Sequence, residues 1–110
     1  MSYKVIYTQE SEQDLINIYM YIAKNLLAPE TAKKQADRIM KAIEALDEMP
    51  LRFKLYTNEP WNSMGLRVLP VDNYLVFYIV IGEEKTVVII RIMYGGRSIE
   101  FQLSNAEVID

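Results

Sequence analysis

LRVLPVDNYLVFYIVIGEEKTVVIIRIMY, residues 66–94, is the stretch that decides how this chain folds. Two polar breaks, Asp72-Asn73 and Gly82-Glu83-Glu84-Lys85, divide it into apolar runs at 66–71, 74–81 and 86–94, all rich in β-branched and aromatic residues. Breaks this short join neighbouring strands as hairpins, so the stretch predicts a three-stranded antiparallel meander. Alternation sends Tyr74, Val76, Tyr78 and Val80 to one face and Leu75, Phe77, Ile79 and Ile81 to the other. Both faces are apolar, so helices should cover one and something else part of the other. A protein partner is the expectation, with the 51–65 connection and the tail after Arg97 as internal candidates.

Upstream, residues 3–8 have the composition of a short strand, and Thr8 or Ser11 can cap the helix that follows, Ser11 standing three residues before Asp14. Leu15, Ile18, Tyr19, Ile22, Ala23 and Leu26 recur at helical spacing. Pro29 suits the first turn of a second helix, whose stripe is Ala32, Ala36, Ile39, Ile43 and Leu46, and Pro50 ends the run. Two amphipathic helices with a short link make an antiparallel hairpin. The expected fold is therefore α+β: an N-terminal strand, then a helical hairpin packed on a small, mainly antiparallel sheet. The 110 residues are expected to form one domain, with aromatics of the 51–65 connection anchoring it to the core. Residues 99–110 fit a short strand, a short helix or a partner-dependent segment equally.

Composition restricts the chemistry. With no Cys and no His there are no disulfides, no thiolate nucleophile, and no imidazole for a zinc site or for proton transfer near neutrality. Arg, Lys, Tyr and carboxylates are left, and neither a metal nor a cofactor is implied. The net charge of −3 does not mark a general nucleic-acid binder, although residues 51–97 hold six basic and four acidic side chains. The start of the chain has no long apolar run and no segment approaches a membrane span, so the cytoplasm is the expected location.

Arg67 and Arg91 lie inside apolar strands, where a guanidinium needs a carboxylate, a rim position or an anionic ligand. Arg97 follows Tyr94-Gly95-Gly96, whose glycines allow a tight turn or a close approach by another chain. Lys54 is an ordinary surface cation by spacing, and Tyr74, Tyr78 and Tyr94 fit a half-buried core or an interface.

Taken in order, several of these pieces resemble the RelE/ParE superfamily of toxins from bacterial type II toxin–antitoxin modules. They are residues 3–8 leading to Asp14-Leu15, Ile18 and Tyr21-Ile22; Pro29-Glu30; residues 66–71 followed by 74–78; and residues 90–99. The resemblance implies a cognate antitoxin as partner, operator DNA reached only through it, no membrane, and growth inhibition through DNA gyrase or through ribosome-dependent mRNA cleavage. Nuclease-type members carry an arginine directly after the position of Tyr74, where this chain has Leu75. Their second arginine matches Arg97, and their tyrosine falls near Leu103 or is replaced by Tyr94. On that alternative the catalytic group would be Arg97, Tyr94, Arg67 and Lys54, acting on mRNA at the ribosome. ParE-like members match at Arg67, Pro70 and Tyr74 to Tyr78. They differ where Tyr94 stands in a frequent histidine position and Ser98 in a frequent aspartate position. The ParE-like reading is preferred, with gyrase as target and Arg67, Arg91, Arg97, Tyr74, Tyr78, Phe101 and Leu103 as antitoxin- or target-binding residues. A non-toxic member that only binds its antitoxin is the third reading.

Overall fold

A computed structural model describes residues 2–95 together with Ile99 and Leu103. Strand β1 (Lys4–Tyr7) leads into helix α1 (Gln9–Met20), which continues as a π-helical turn (Tyr21–Asn25) before helix α2 (Pro29–Glu44) returns. Two 3-10 turns (Ala45–Asp47 and Pro50–Arg52) and a long connection precede β2 (Arg67–Val71), β3 (Tyr74–Ile81) and β4 (Thr86–Tyr94). The sheet order is β1-β4-β3-β2, with β1 parallel to β4 and the other two pairings antiparallel. The meander and the N-terminal strand stand where the sequence places them.

Thr8 is the N-cap of α1: its side chain accepts the Ser11 amide at 3.1 Å and its hydroxyl donates to the Ile90 carbonyl at 3.0 Å. Ser11 does not cap. It is fully buried one turn inside the helix and donates to the Thr8 carbonyl at 2.9 Å. The apolar stripe of α1 is narrower than its spacing suggests. Ile22 is buried and Leu15 and Ile18 pack on the core, but Tyr19 and Leu26 are exposed. The π turn accounts for Leu26, because its wider winding rotates the residues that follow it out of the helical register. Ala32, Ala36, Ile39, Ile43 and Leu46 of the second stripe are all buried. Pro29 begins α2, as a residue without an amide proton should.

Two apolar clusters lie on the two faces of the sheet. Val76, Tyr78, Val87, Ile89 and Ile92 pack with Ile39, Ile43 and Leu46 on the helical side. On the other side Phe77, Ile79, Val88, Ile90 and Met93 pack with Trp61, Leu66 and Leu103, joined by Tyr56. Here the expectation of a face left for a partner is corrected. Trp61 and Tyr56 meet at 5.9 Å between ring centroids and Tyr56 meets Phe77 at 5.7 Å, both edge to face, so the chain's own connection lies over this face. The reason is local. The Tyr56 amide donates to the Leu66 carbonyl at 2.7 Å and Asn62 Nδ2 to the Tyr56 carbonyl at 2.9 Å, closing the connection into a loop whose apolar side turns inward.

Candidate functional site

Arg67 opens β2 opposite Tyr78 of β3. Its Nη1 donates to the carbonyls of Leu51 at 3.2 Å and Phe53 at 2.7 Å, while the Tyr78 hydroxyl donates to the Pro50 carbonyl at 2.6 Å. Arg52 donates to the carbonyls of Glu48 at 2.5 Å and Met49 at 3.1 Å, and its guanidinium carbon lies 4.7 Å from the centroid of Phe53. Carbonyls of a segment too short for its own helical ladder need side-chain donors, supplied by Arg52 of the segment itself and by Arg67 and Tyr78 from the sheet. Burial pushes the Tyr78 phenol up to about 12, against the opposing pull of Arg67 and Arg52. Lys54 is exposed, and its carbonyl accepts the Val68 amide at 3.0 Å, so its backbone extends the edge of β2.

The Arg91 guanidinium meets Asp14 of α1 through Nε at 2.7 Å and Nη2 at 2.9 Å. A β-bulge brings it there. Phe77 faces Arg91 but Tyr78 faces Ile89, so Ile90 is an extra residue in β4 that re-aims its successor. Strand β1 ends at Tyr7 opposite Ile89, leaving the next residues of β4 without a strand on that side. Asp14 Oδ2 fills part of the gap by accepting the Ile92 amide at 2.9 Å. The hydrogen bonding to Asp14 first, then the negative charges of Asp14 and Glu10, hold the Arg91 guanidinium above its usual range despite desolvation.

At the far end of β3, Tyr74 stands opposite Tyr94, and their rings meet edge to face at 5.7 Å. Burial, with Tyr94 and Tyr21 nearby, raises the Tyr74 phenol. Tyr94 and Tyr21 are about half exposed. Leu103 is buried in the second cluster, whereas Arg97 and Phe101 lie outside the described residues.

Among the described residues the candidate catalytic group is thus divided. Arg67 and Tyr94 sit at register positions four residues apart along β3, about 13 Å at the rise of a strand. Sequence reasoning missed Asp14 as the partner of Arg91, and the 48–53 segment as the receptor for Arg67, Tyr78 and Arg52. The one available signal was the rule that a guanidinium in an apolar strand needs an acceptor. An open cavity of about 550 Å³ lies beside the same segment, between Tyr3, Lys85 and residues 48–52, with Met49 and Lys85 both in the left-handed backbone region. No helix of the described residues is long and apolar enough to cross a membrane.

No curated protein matches this chain. Solved structures do. A chain of the chromosomal ParDE toxin–antitoxin system from P. aeruginosa superposes with a TM-score of 0.69 at 24% identity, covering 84% of this chain and 96% of that one. The toxin–antitoxin complex RelBE2 from Mycobacterium tuberculosis gives 0.60 at 23% identity, over 86% and 99% of the two chains. A variant of the E. coli toxin RelE in the free state gives 0.64 at 13% identity, over 93% of each. At such identities these likenesses establish the shared fold. The family model described as the ParE toxin of the type II toxin–antitoxin system parDE matches residues 5–99. With nearly the whole described chain inside that match, this protein belongs to the ParE toxin family of type II toxin–antitoxin systems.

Proposed function

We propose that this chain arrests growth by engaging DNA gyrase, and that a cognate antitoxin protein neutralises it. The observation that carries the choice of target is the engagement of its strand arginines. Arg67 donates to two backbone carbonyls and Arg91 is bidentate on Asp14, while Leu75 occupies the place where nuclease-type relatives have an arginine. A cation that stabilises a developing phosphorane must be aimed at the reacting phosphate. Arg67 and Arg91 act instead as struts, which suits a toxin that works by binding. The antitoxin reading is supported by family membership and by two of the similar structures, which are described as toxin–antitoxin assemblies. Operator DNA is then reached only through that partner.

The test is expression of the chain with and without the product of its neighbouring gene, reading growth, plasmid topology and mRNA integrity together. The expected result is arrest relieved by the neighbour, with loss of negative supercoiling and intact mRNA. Cleaved ribosome-bound mRNA with normal supercoiling overturns the gyrase target. Folded protein without any growth effect overturns toxicity itself.

A further inference from the structure

We propose that the outer edge of β1 takes an extended, basic segment of the antitoxin as a fifth strand of the sheet, bonded through the main-chain groups of Val5 and Tyr7. The inference rests on the antitoxin reading above and names where that partner binds. The ladder sets the direction of these groups. The amides of Lys4 and Thr8 donate across to β4, to the carbonyls of Lys85 at 2.8 Å and Ile89 at 3.0 Å. Main-chain groups alternate sides along a strand, so those of Tyr3, Val5 and Tyr7 point away from β4. The Asp47 carbonyl accepts the Tyr3 amide at 2.8 Å, but the outward amides of Val5 and Tyr7 have no partner among the described residues. The opposite edge of the sheet is shut. There Leu55 bridges Arg67, Val68 donates to the Lys54 carbonyl, and Pro70 has no amide proton to offer. Among the described residues β1 is thus the edge left for main-chain bonding by an added strand.

Charge selects the occupant. Val5 and Tyr7 turn their side chains to the helical face. There Glu12 of α1 and Glu44 of α2 stand near enough that their charges, after burial, raise the Tyr7 phenol. Both carboxylates are exposed, and neither is in an ion pair among the described residues. A strand laid beside β1 carries every second side chain over this place, so a Lys or Arg there meets two unneutralised acids. A second copy of this chain fits badly. Two-fold pairing of β1 strands about Ile6 sets Val5 against Tyr7 of the other copy and leaves both Lys4 side chains on the opposite face. It gathers the carboxylates of both copies with no cation from either strand between them.

Amide hydrogen exchange of the full chain, alone and in complex with the product of the neighbouring gene, tests this residue by residue. Val5 and Tyr7 should exchange fast in the free chain and at least about tenfold more slowly in the complex, a larger change than at Lys4 and Ile6, whose amides already lie in the ladder. Val5→Pro deletes one outward amide and no bond to β4; with circular dichroism confirming its fold, it should raise Kd for the partner about tenfold. Glu12→Gln with Glu44→Gln should raise Kd about tenfold and flatten its dependence on salt, and this pair and the exchange decide the matter if Val5→Pro does not fold. A complex in which Val5 and Tyr7 exchange as in the free chain overturns this proposal and leaves the antitoxin reading standing, as does an affinity untouched by the paired glutamine changes. Failure to form any complex overturns the antitoxin reading and this proposal with it. Protection of the two amides in the concentrated free chain assigns the edge to a second copy and likewise overturns the proposal.

Discussion

Removing the Asp14 carboxylate by Asp14→Ala should destabilise this protein more than any other single exposed-helix change. Asp14 accepts both arms of Arg91 and the Ile92 amide, and the two side chains are only 11% and 16% exposed. Deleting one partner of such a pair leaves the other charge poorly solvated, a loss of about 3–5 kcal/mol, whereas replacing both by apolar groups of similar volume is close to neutral. The Ile92 amide also loses its acceptor, at about 1 kcal/mol. Asp14→Ala is therefore expected to cost about 4–6 kcal/mol and to lower Tm by about 16–24 °C. The double variant Asp14→Leu with Arg91→Met should cost only about 1–2 kcal/mol, the residue of the unsatisfied amide. Urea unfolding of wild type, both single variants and the double variant gives the coupling free energy directly, provided the m-values agree. Single losses below about 1 kcal/mol that simply add in the double variant would refute the claim that this pair closes the open edge of β4.

Four further outcomes follow from named contacts. Tyr78→Phe strands the Pro50 carbonyl and should lower stability by about 1–2 kcal/mol in chemical denaturation, with a loss under a few tenths counting against the contact. In a spectrophotometric titration Tyr78 should ionise last, at about 12; because its folded pKa is raised, the stability it contributes is complete below about pH 10 and is lost as pH rises through about 12. Trp61→Ala should cost about 3–5 kcal/mol and expose the Phe77 and Ile79 face to a hydrophobic dye, while an unchanged dye response would mean that the connection does not seal that face. Leu27 is held at φ 51° without being a glycine, so Leu27→Gly should raise thermal stability by up to about 1 kcal/mol, and a clear destabilisation would contradict the strain reading.

Much of the scaffold was legible because its signals are local. The polar breaks at Asp72-Asn73 and Gly82 to Lys85 delimit β2, β3 and β4, and Thr8 and Pro29 mark the starts of α1 and α2. What escaped was non-local or lacked a periodic signal. Residues 21–25 read as ordinary helix formers, with no local signal for the π turn that places Leu26 outside the buried stripe. The partner of Arg91 lies 77 residues away, and only the bulge at Ile90 aims the two at each other. The covered second face depends on how the 55–66 loop closes on itself, which neither alternation nor helical spacing reveals. The partner expectation drawn from that face thus lost its physical basis here, and family membership carries it instead. Arg67 shows the same limit in the site: its position in β2 was readable, but its two carbonyl acceptors come from a segment with no motif.

The most direct measurement is a supercoiling assay with purified gyrase, relaxed plasmid and increasing amounts of the purified chain, run beside programmed ribosomes carrying intact mRNA. A toxin whose strand arginines are engaged by its own carbonyls and by Asp14 should abolish the supercoiled product and leave the ribosome-bound message full length. Undiminished supercoiling together with a cut message would mean that a reactive phosphate site exists in this fold after all.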